Sequence, residues 1–510
     1  MYTVRIHSQL EDRLDAEFYN PEALKTVQKI DGLGKTKRLG QLIADGYRVV
    51  YHGTDSINGI PEERLLPFLS PTQIDDQGSI DFSAADKLPL YYKDDYPKGL
   101  AVAGELLIEV KGNVSKVGVV PEEFPKHLMV SGSLYKASFK ADTNSRYVLA
   151  FLKSKHGQIL KNRLTSNTII NYIAKDALYS IPLFAANSDV QKYIGDKVRQ
   201  AERLQAWTKE LDKKLTEFEV QIPLQQPVAD ERKYSKAELD YLTDNRLDAK
   251  FYERKHLALE AQFNEKFQKL GVITSGFKYG ASVTADYVSQ GEGITFIRGN
   301  SISKNNINTA DIVYLHKRFL DDVSSCRVRT GEVLITRSGT VGVACDVFDE
   351  FDGAAYGSFV IKCQPRTEQV LPTYLSWFLN SWVGQQQFRR WENGAVQLNI
   401  NIEELSSIMV WLAPSEVQNQ IIELIEAKRE SDKYSRNLTI GAKLLVEDLI
   451  EGQITEAQLI AAEQALQAGN DTLDRKILSR LKTDGIDGDG AALFSDLDEL
   501  YRLLALAEVE

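Results

Sequence analysis

Two long segments of the chain repeat apolar residues every three or four positions, a spacing that predicts amphipathic helices with a coiled-coil seam. The first segment runs from Val190 to Phe218 and the second from Val417 to Leu449. Ahead of each, short stretches of alternating apolar and polar residues are separated by glycines, most clearly from Val272 to Val347. Such stretches predict short strands and turns. Shorter helices are predicted at 147–163 and 372–390.

The order of predicted elements occurs twice, because blocks of residues return at a nearly constant distance. Arg13-Leu-Asp-Ala-Glu-Phe-Tyr19 returns as Arg246-Leu-Asp-Ala-Lys-Phe-Tyr252, 233 residues later. Further blocks return in the same order at an offset of 227, beginning with Gly104-Glu-Leu-Leu-Ile108 and Gly331-Glu-Val-Leu-Ile335. Similar folds that arose independently would not preserve both order and spacing, so the sequence predicts a tandem duplication.

The duplication predicts five parts and an α+β fold class. These parts are a first mixed, β-rich domain with helices at 1–186, a spacer helix and linker at 187–235, a second such domain at 236–413, a distal spacer helix at 414–452, and an acidic helical tail at 453–510. We expect the two long helices to form a coiled coil that joins the repeated domains. A chain of 510 residues is long enough for this number of domains.

Composition narrows the setting of the protein. No apolar run approaches the ~18 residues that a membrane-spanning helix needs, and Met1–Leu10 has no apolar signal core, so a cytoplasmic protein is expected. Cys326, Cys345 and Cys363 lie 19 and 18 residues apart. That spacing argues against a disulfide framework and a paired-cysteine metal site, and favours buried structural thiols.

Charge is unevenly distributed along the chain. Lys and Arg total 61 and Asp and Glu total 72, a net charge of −11, which taken alone argues against nucleic-acid binding. However, the segment from Gln453 to Glu510 has 12 acidic and 5 basic residues, and the segment from Arg146 to Phe184 has 6 basic and 1 acidic. The overall average therefore conceals an acidic tail and a basic interior segment.

Catalytic and cofactor motifs are incomplete in this sequence. Gly34-Lys-Thr36 lacks the earlier glycine of a phosphate-binding loop, since Lys29 occupies that position. The six histidines are scattered without a HExxH arrangement, and Gly339-Thr-Val-Gly342 is too short for a dinucleotide fingerprint. Asp484–Gly490 lacks the bidentate glutamate of a calcium loop, which favours a surface turn. No catalytic residue, metal site or cofactor is therefore predicted.

Three groups of polar residues suit DNA binding. The first is a pair of corresponding strand–turn segments, the second interleaves aromatic, basic and amide residues, and the third is a basic helix with few acids nearby. Arg and Lys can contact phosphates or guanine edges, Asn can pair with adenine, and glycine allows close backbone approach. Solvated turns, core aromatics and a solvated charged helix face remain alternatives. The candidate residues are Lys111, Asn113 and Lys116 with Arg337, Ser338 and Thr340; Lys278, Tyr279, Arg298 and Asn300; and Lys153, Lys161, Arg163 and Asn167.

The duplicated order resembles the DNA specificity (S) subunit of type I restriction–modification systems. The residues behind this resemblance are Gly331-Glu-Val-Leu-Ile-Thr-Arg-Ser-Gly-Thr-Val-Gly342, the weaker match from Gly104 to Ser115, and the Ile-Pro-Leu strand before a Val-Gln helix, over about residues 13–452. The resemblance implies two target-recognition domains, each of which reads one half of a split DNA site. It also implies that the two helices pack as an antiparallel coiled coil, which separates the two domains and docks modification subunits that have the adenine-N6 methyltransferase activity.

We therefore expect a non-catalytic subunit of a phage-defence restriction system. Its expected partners are double-stranded DNA, two methyltransferase subunits related by the duplication, and an ATP-dependent restriction subunit, with no membrane and no cofactor of its own. Two alternatives remain open. The chain could be a self-contained nuclease or methyltransferase with an unrecognised site, or a protein-only scaffold of a related defence complex.

Overall fold

The structure is a computed structural model that describes residues 17–49, 56–166, 170–227, 242, 246, 248–394 and 397–509. The chain divides into two compact units, one formed by residues 1–208 and 430–510 and the other by residues 209–429. Each unit contains one copy of a mixed domain of short strands and helices. The α+β class predicted from the sequence is confirmed.

The first copy alternates short strands with short helices and ends in a long helix. Its strands are β1 (Thr36–Arg38), β2 (Ile43–Tyr47), β3 (Leu65–Leu69), β4 (Asp86–Pro89), β5 (Leu106–Glu109), β6 (Val117–Val119), β7 (Met129–Val130), β8 (Leu134–Phe139) and β9 (Pro182–Phe184). Its helices are α1 (Pro21–Gly32), α2 (Leu39–Leu42), α3 (Tyr92–Asp95), α4 (Ser145–Lys153), α5 (Lys155–Arg163), α6 (Lys175–Tyr179) and α7 (Ser188–Glu219).

The second copy repeats this order and adds strands in its middle. Its strands are β10 (Phe267–Lys269), β11 (Thr274–Tyr279), β12 (Tyr287–Val288), β13 (Ile294–Ile297), β14 (Ile302–Ser303), β15 (Asn306–Ile307), β16 (Val313–Leu315), β17 (Val333–Thr336), β18 (Ala344–Asp346), β19 (Ala355–Tyr356), β20 (Val360–Pro365) and β21 (Met409–Trp411). Its helices are α8 (Arg254–Glu260), α9 (Leu270–Ile273), α10 (Pro372–Asn380), α11 (Trp382–Trp391), α12 (Ile402–Ser406) and α13 (Ser415–Glu451).

The central sheets of the two copies have the same topology. The strand order is β2-β8-β5-β6 in the first copy and β11-β20-β17-β18 in the second, with antiparallel neighbours throughout. A largely buried ion pair recurs in each sheet, between β8 or β20 and the residue just before β5 or β17: Lys136 Nζ lies 3.1 Å from Glu105, and Lys362 Nζ lies 2.6 Å from Glu332. A second sheet is β4-β3-β7 in the first copy and β12-β16-β13-β19 in the second.

Corresponding helices follow each sheet, but the single helices predicted at 147–163 and 372–390 are each broken once. The breaks are at Ser154 and Ser381, 227 residues apart, where the serine caps the second helix and its hydroxyl donates to Phe151 O or Phe378 O at 2.6 Å. Serine is a favourable N-cap because its side chain can accept a hydrogen bond from an unpaired helix amide. This local hydrogen bonding outweighs the continuous periodicity that predicted one helix.

The repeated Arg-Leu-Asp-Ala-x-Phe-Tyr block anchors the entry of each copy to its second helix. Arg163 of α5 donates to Phe18 O at 2.7 Å and lies 3.9 Å from the Phe18 ring centroid. Arg390 of α11 donates to Phe251 O at 3.2 Å and lies 4.2 Å from the Phe251 ring centroid. The block is therefore repeated for a structural reason, since its phenylalanine is held by a buried arginine. Arg13–Ala16 lie outside the described residues.

The two long helices predicted from the apolar stripe are confirmed as helices. Contacts between them occur within each unit: Ser435 Oγ donates to Ala201 O at 3.0 Å in the first, and Lys428 pairs with Asp212 at 2.6 Å in the second. Helix α13 continues through the polar stretch at 428–433, where Ser431 is fully buried. A regular coiled-coil seam along their whole length stays a prediction.

The tail predicted to be helical forms α14 (Glu456–Gln467), α15 (Thr472–Arg480), β22 (Leu481–Lys482), β23 (Gly485–Ile486) and α16 (Leu497–Val509). Asp484 folds the loop that follows β22 by accepting from the amides of Asp489 and Gly490. Within the described part of the chain, no group of three or more His, Cys, Asp or Glu residues could hold a metal ion. Across the same residues, no helix combines the length and apolar character needed to cross a membrane.

Candidate nucleic-acid interface

The turn after β17 forms the centre of the site in the second copy. Gly339 and Gly342 have φ angles of 81° and 88°, a left-handed conformation that favours glycine. Gly339 N donates to Leu398 O at 3.1 Å, which ties the turn to the loop after α11. Ser338 is half-buried, while Thr340 is exposed at the tip. The turn therefore presents short polar side chains and backbone on a fixed surface.

Arg337 lies at the base of this turn, where only part of its hydrogen-bonding capacity is used. Its guanidinium is 4.7 Å from the Tyr279 ring centroid, and Nη1 donates to Ser358 O at 3.4 Å. Its Nε is buried without a hydrogen-bond partner among the described residues. Beside it, the Phe359 side chain is 54% exposed. A guanidinium stacked on an aromatic ring, next to an exposed aromatic side chain, is suited to contact bases or phosphates.

The second predicted group lies against the first. A Cβ built at Gly299 would be 3.5 Å from Phe359, which places the turn that contains Asn300 beside the Arg337 surface. Asn300 and Lys278 are exposed, and Tyr279 is 37% exposed. Arg298 instead turns toward the protein, where it donates to Asp311 O at 3.1 Å and lies over the Tyr287 ring. Of this group, the structure therefore offers Lys278, Tyr279 and Asn300 to a ligand more directly than Arg298.

In the first copy, a buried carboxylate organises the corresponding turn. Glu109, 4% exposed, accepts hydrogen bonds from the amides of Asn113, Ser115 and Lys116 at 3.0–3.1 Å. Its counterpart Thr336 has only a hydroxyl, which accepts from Val343 N at 2.9 Å. Side chains at Lys111 and Asn113 are exposed, while Lys116 is half-buried and pairs with Asp76.

Arg48 supplies the guanidinium of the first copy, although the sequence analysis did not single it out. Its Nε donates to Gly132 O at 2.5 Å, Nη1 donates to Tyr172 Oη at 3.1 Å, and the guanidinium lies 5.1 Å from the Tyr172 ring centroid. Aligning Lys136 with Lys362 gives an offset of 226, and at that offset Gly132 corresponds to Ser358. The carbonyl of Ser358 is the one that Arg337 contacts.

The two arginines therefore reach equivalent carbonyls from different strands. Arg48 follows β2, whereas Arg337 follows β17. Leu39-Gly40 and Leu270-Gly271 align at an offset of 231, which places Arg48 opposite Tyr279. In the sequence, only that alignment points to Arg48. Because it pairs an arginine with a tyrosine, it does not indicate that both copies place a guanidinium at the same carbonyl. Phe359 and Tyr172 were also missed, because the corresponding residues of the other copy, Ser133 and Asn399, are not aromatic.

For Lys161 and Arg163, two members of the third group, the prediction of an exposed phosphate-binding face is wrong. Lys161 is fully buried, and its ammonium has no hydrogen-bond partner among the described residues. Burial lowers the pKa of Lys161 to about 7, with a further decrease from Lys153 and an opposing effect of Glu109. Arg163 is 8% exposed and holds Phe18. Both side chains point into the fold, so neither can contact a phosphate in this conformation.

The remaining members of that group differ from one another. Lys153 is half-buried, and burial together with the Lys443 ammonium lowers its pKa to about 8. Asn167 lies outside the described residues. Only Lys153 of this group therefore stays a candidate that the structure places near solvent.

The three cysteines are buried and unpaired, as the sequence predicted. Burial raises the pKa of the Cys363 thiol to about 12, so this thiol is protonated at neutral pH. Burial also raises the pKa of Cys345. Thiols that stay protonated and away from solvent pack as small apolar groups.

A scan against protein-family models and a search of curated proteins find no match for this chain. Among solved structures, similarity is found to the S subunit of a type I restriction–modification system from M. genitalium, with 14% identity over 82% of this chain and 96% of that chain and a TM-score of 0.40. A chain from a study of complex assembly and conformational transition of the type I R-M system matches with 14% identity, over 82% and 98%, at a TM-score of 0.31. The HsdS subunit from Thermoanaerobacter tengcongensis matches with 15% identity, over 86% and 96%, at 0.27.

Proposed function

We propose that this chain is a non-catalytic DNA specificity subunit of a type I restriction–modification system. Each copy of the repeated domain reads one half of a bipartite duplex target. The long helices recruit methyltransferase subunits that modify adenine at N6, and an ATP-dependent restriction subunit joins the complex. The function is that of a cytoplasmic phage-defence complex in which other subunits do the chemistry.

The observation behind this proposal is the pair of corresponding surfaces that differ in their side chains. Both copies have the same central sheet, the same turn position and a guanidinium at an equivalent carbonyl, Gly132 O or Ser358 O. Around it, the first copy places Lys111 and Asn113, whereas the second places Ser338 and Thr340. One scaffold with two sets of polar side chains suits the reading of two unrelated half-sites.

Lysine and amide side chains around each guanidinium suit contacts with the DNA backbone. Lys278 and Asn300 are exposed in the second copy, and Lys111 is exposed in the first. Phosphate contacts fix the position of a protein on the duplex, while contacts with base edges determine the sequence that it prefers. We therefore assign base reading to Arg48 and Arg337 and backbone contact to the surrounding lysines.

Mapping of methylated sites in cells with the complete system tests the proposal, with Arg48→Ala and Arg337→Ala as a matched pair. Each substitution is expected to relax one half-site and leave the other unchanged, at a cost of about 1–3 kcal/mol in binding. Lys25→Ala is the control, because Lys25 is exposed on α1 and belongs to no candidate group. If both arginine variants retain both half-sites, the assignment of base reading is wrong.

Methyltransferase recruitment has its own test in the same system. The duplication alone predicts two related helix surfaces and therefore two methyltransferase subunits. Purification of the complex and measurement of its mass would show how many are bound. If the purified chain alone methylates or cleaves DNA with Mg²⁺ and S-adenosylmethionine, the proposal of a non-catalytic subunit is refuted.

A further inference from the structure

The C-terminal tail, residues 453–510, packs on both long helices within the first unit through buried polar contacts. Asp474 of α15 is 1% exposed, and its carboxylate accepts from Tyr193 Oη at 2.5 Å and Lys197 Nζ at 2.7 Å on α7. Tyr501 of α16 donates to the same carboxylate. Lys197 is also 1% exposed. The two buried charges therefore depend on each other for compensation.

Contacts with α13 extend this interface. Tyr434 Oη donates to Asp496 O at 2.8 Å, and Asn437 Nδ2 donates to Leu493 O at 2.7 Å. Gly441 leaves room for the tail, since a Cβ built there would lie 3.4–3.6 Å from Leu481, Leu493 and Phe494. The tail is thus a packed part of the first unit, although its acidic composition is also typical of solvated tails.

The related helix face in the second unit lacks the residues that hold the tail. At the offset of 227, Tyr193 corresponds to Gln420 and Lys197 to Leu424. Gln420 is exposed and Leu424 is half-buried. Asn437 and Gly441 correspond to Glu210 and Lys214. The duplication therefore supplied two related helix faces, and only the one in the first unit has the partners for Asp474 and the space for Leu493.

Exposed carboxylates mark the face in the second unit. Glu416 and Glu423 of α13, each within one helical turn of Gln420, are exposed there. Lys214 on the α7 side of this face is half-buried, so the two exposed carboxylates on its α13 side favour a partner whose surface there is basic. The two faces consequently differ in both access and charge, which the duplication by itself does not reveal.

We infer that the tail covers one of the two related helix faces that bind methyltransferase subunits. With the tail in place, the chain binds one methyltransferase subunit, through the α13 face of the second unit. A second subunit binds to the first unit only after the tail is displaced. This inference rests on the proposed function, because it concerns the stoichiometry of the same recruitment, and it replaces the two equivalent sites that the duplication predicts.

Asp474→Ala in the full chain is the first test variant. It leaves the Lys197 ammonium buried without its carboxylate, so the tail should detach in a larger fraction of molecules. Without any partner present, proteolysis at the 482–490 loop should accelerate by about a hundredfold, because cleavage follows the population of the open form. The matched control is Lys197→Met with Asp474→Asn, which removes both charges, keeps an acceptor for the tyrosines and should restore slow cleavage.

Native mass spectrometry with a purified type I methyltransferase subunit that binds this chain then gives the stoichiometry. We expect one subunit on the wild type and on the double variant, and two on Asp474→Ala and on a chain that lacks residues 453–510. Two subunits on the wild type with the tail protected from protease would overturn the inference. One subunit on every variant would also overturn it, while leaving the proposed function intact. If no type I methyltransferase subunit binds this chain, the proposed recruitment itself is refuted and this inference with it.

Discussion

Replacement of Lys161 by methionine should stabilise the protein. Lys161 is fully buried in the first unit, with no hydrogen-bond partner for its ammonium among the described residues. The corresponding residue in the second copy is Phe388, 1% exposed and part of the hydrophobic core. Methionine matches the length of lysine and places an apolar group where the duplicated fold already has one, so Lys161→Met should pack with little rearrangement.

The magnitude follows from the pKa of the buried amine. Burial lowers the pKa of Lys161 from 10.5 to about 7, and 1.36 kcal/mol per pKa unit converts that difference to about 5 kcal/mol. Above pH 10.5 the amine is neutral in both the folded and the unfolded chain, so this cost disappears. As pH falls from 10.5 to 7, the unfolded chain binds the proton more readily and wild-type stability declines. Below pH 7 the full cost is present.

Lys161→Met removes this protonation cost, so its advantage should be largest at neutral pH. We expect a gain of about 3–5 kcal/mol in the free energy of unfolding of the first unit at pH 7. At pH 10 the gain should shrink to about 2 kcal/mol, about half from the protonation cost that remains below pH 10.5 and half from a neutral amine without a hydrogen bond. Hydrogen exchange of amides in β5 and α5, with urea titrations at pH 7, 8, 9 and 10, would measure both values.

Lys25→Met is the control for removing a lysine charge, because Lys25 is exposed on α1 of the same unit. It should change the free energy of unfolding by less than about 0.5 kcal/mol at every pH. The reasoning is refuted if Lys161→Met is no more stable than the wild type at pH 7. A gain that stays constant from pH 7 to pH 10 would also refute it, because stability would then not depend on protonation of Lys161.

Two further predictions concern the second unit and the spacer. Burial lowers the pKa of His256 to about 4, so the stability that its neutral form contributes is present above pH 6.5 and is lost as the pH falls toward 4. His256→Gln should flatten this loss of stability, which acid unfolding followed by circular dichroism would measure. Insertion of four residues, about one helical turn, between Ala206 and Trp207 should lengthen the unread gap of the DNA target by about one to two base pairs. Methylated-site mapping would test this, and an unchanged gap or altered half-sites would mean that the helix does not set the spacing.

The sequence alone determined the duplication, the α+β class and the long helices. These features depend on local spacing: apolar residues at steps of three and four predict a helix in any context, and glycines between alternating residues predict short strands. The repeated blocks at Arg13 and Arg246 also indicated corresponding structures. The sequence located the turn at Arg337 because glycine is required where the backbone adopts a positive φ.

Tertiary structure decided which polar residues face a ligand. Lys161 and Arg163 belong to a basic stretch that reads as a solvated face, yet both are buried because other elements of the first copy cover that side of α5. Which side of a helix is covered depends on packing between distant segments, and a lysine contributes the same polar signal whether its ammonium reaches water or a core.

The paired arginines and the tail show the same limit over longer distances. Arg48 and Arg337 do not align in the repeat. They contact equivalent carbonyls because β2 and β17 correspond to strands on opposite sides of the same central strand, β8 in the first copy and β20 in the second, and a long side chain can reach the same point from either side. Asp474 is 277 residues from Lys197 in the sequence. Taken alone, the acidic residues near Asp474 in the sequence indicate a solvated segment. Local sequence determines the elements, whereas burial of a charge requires a partner that only the folded chain brings near it.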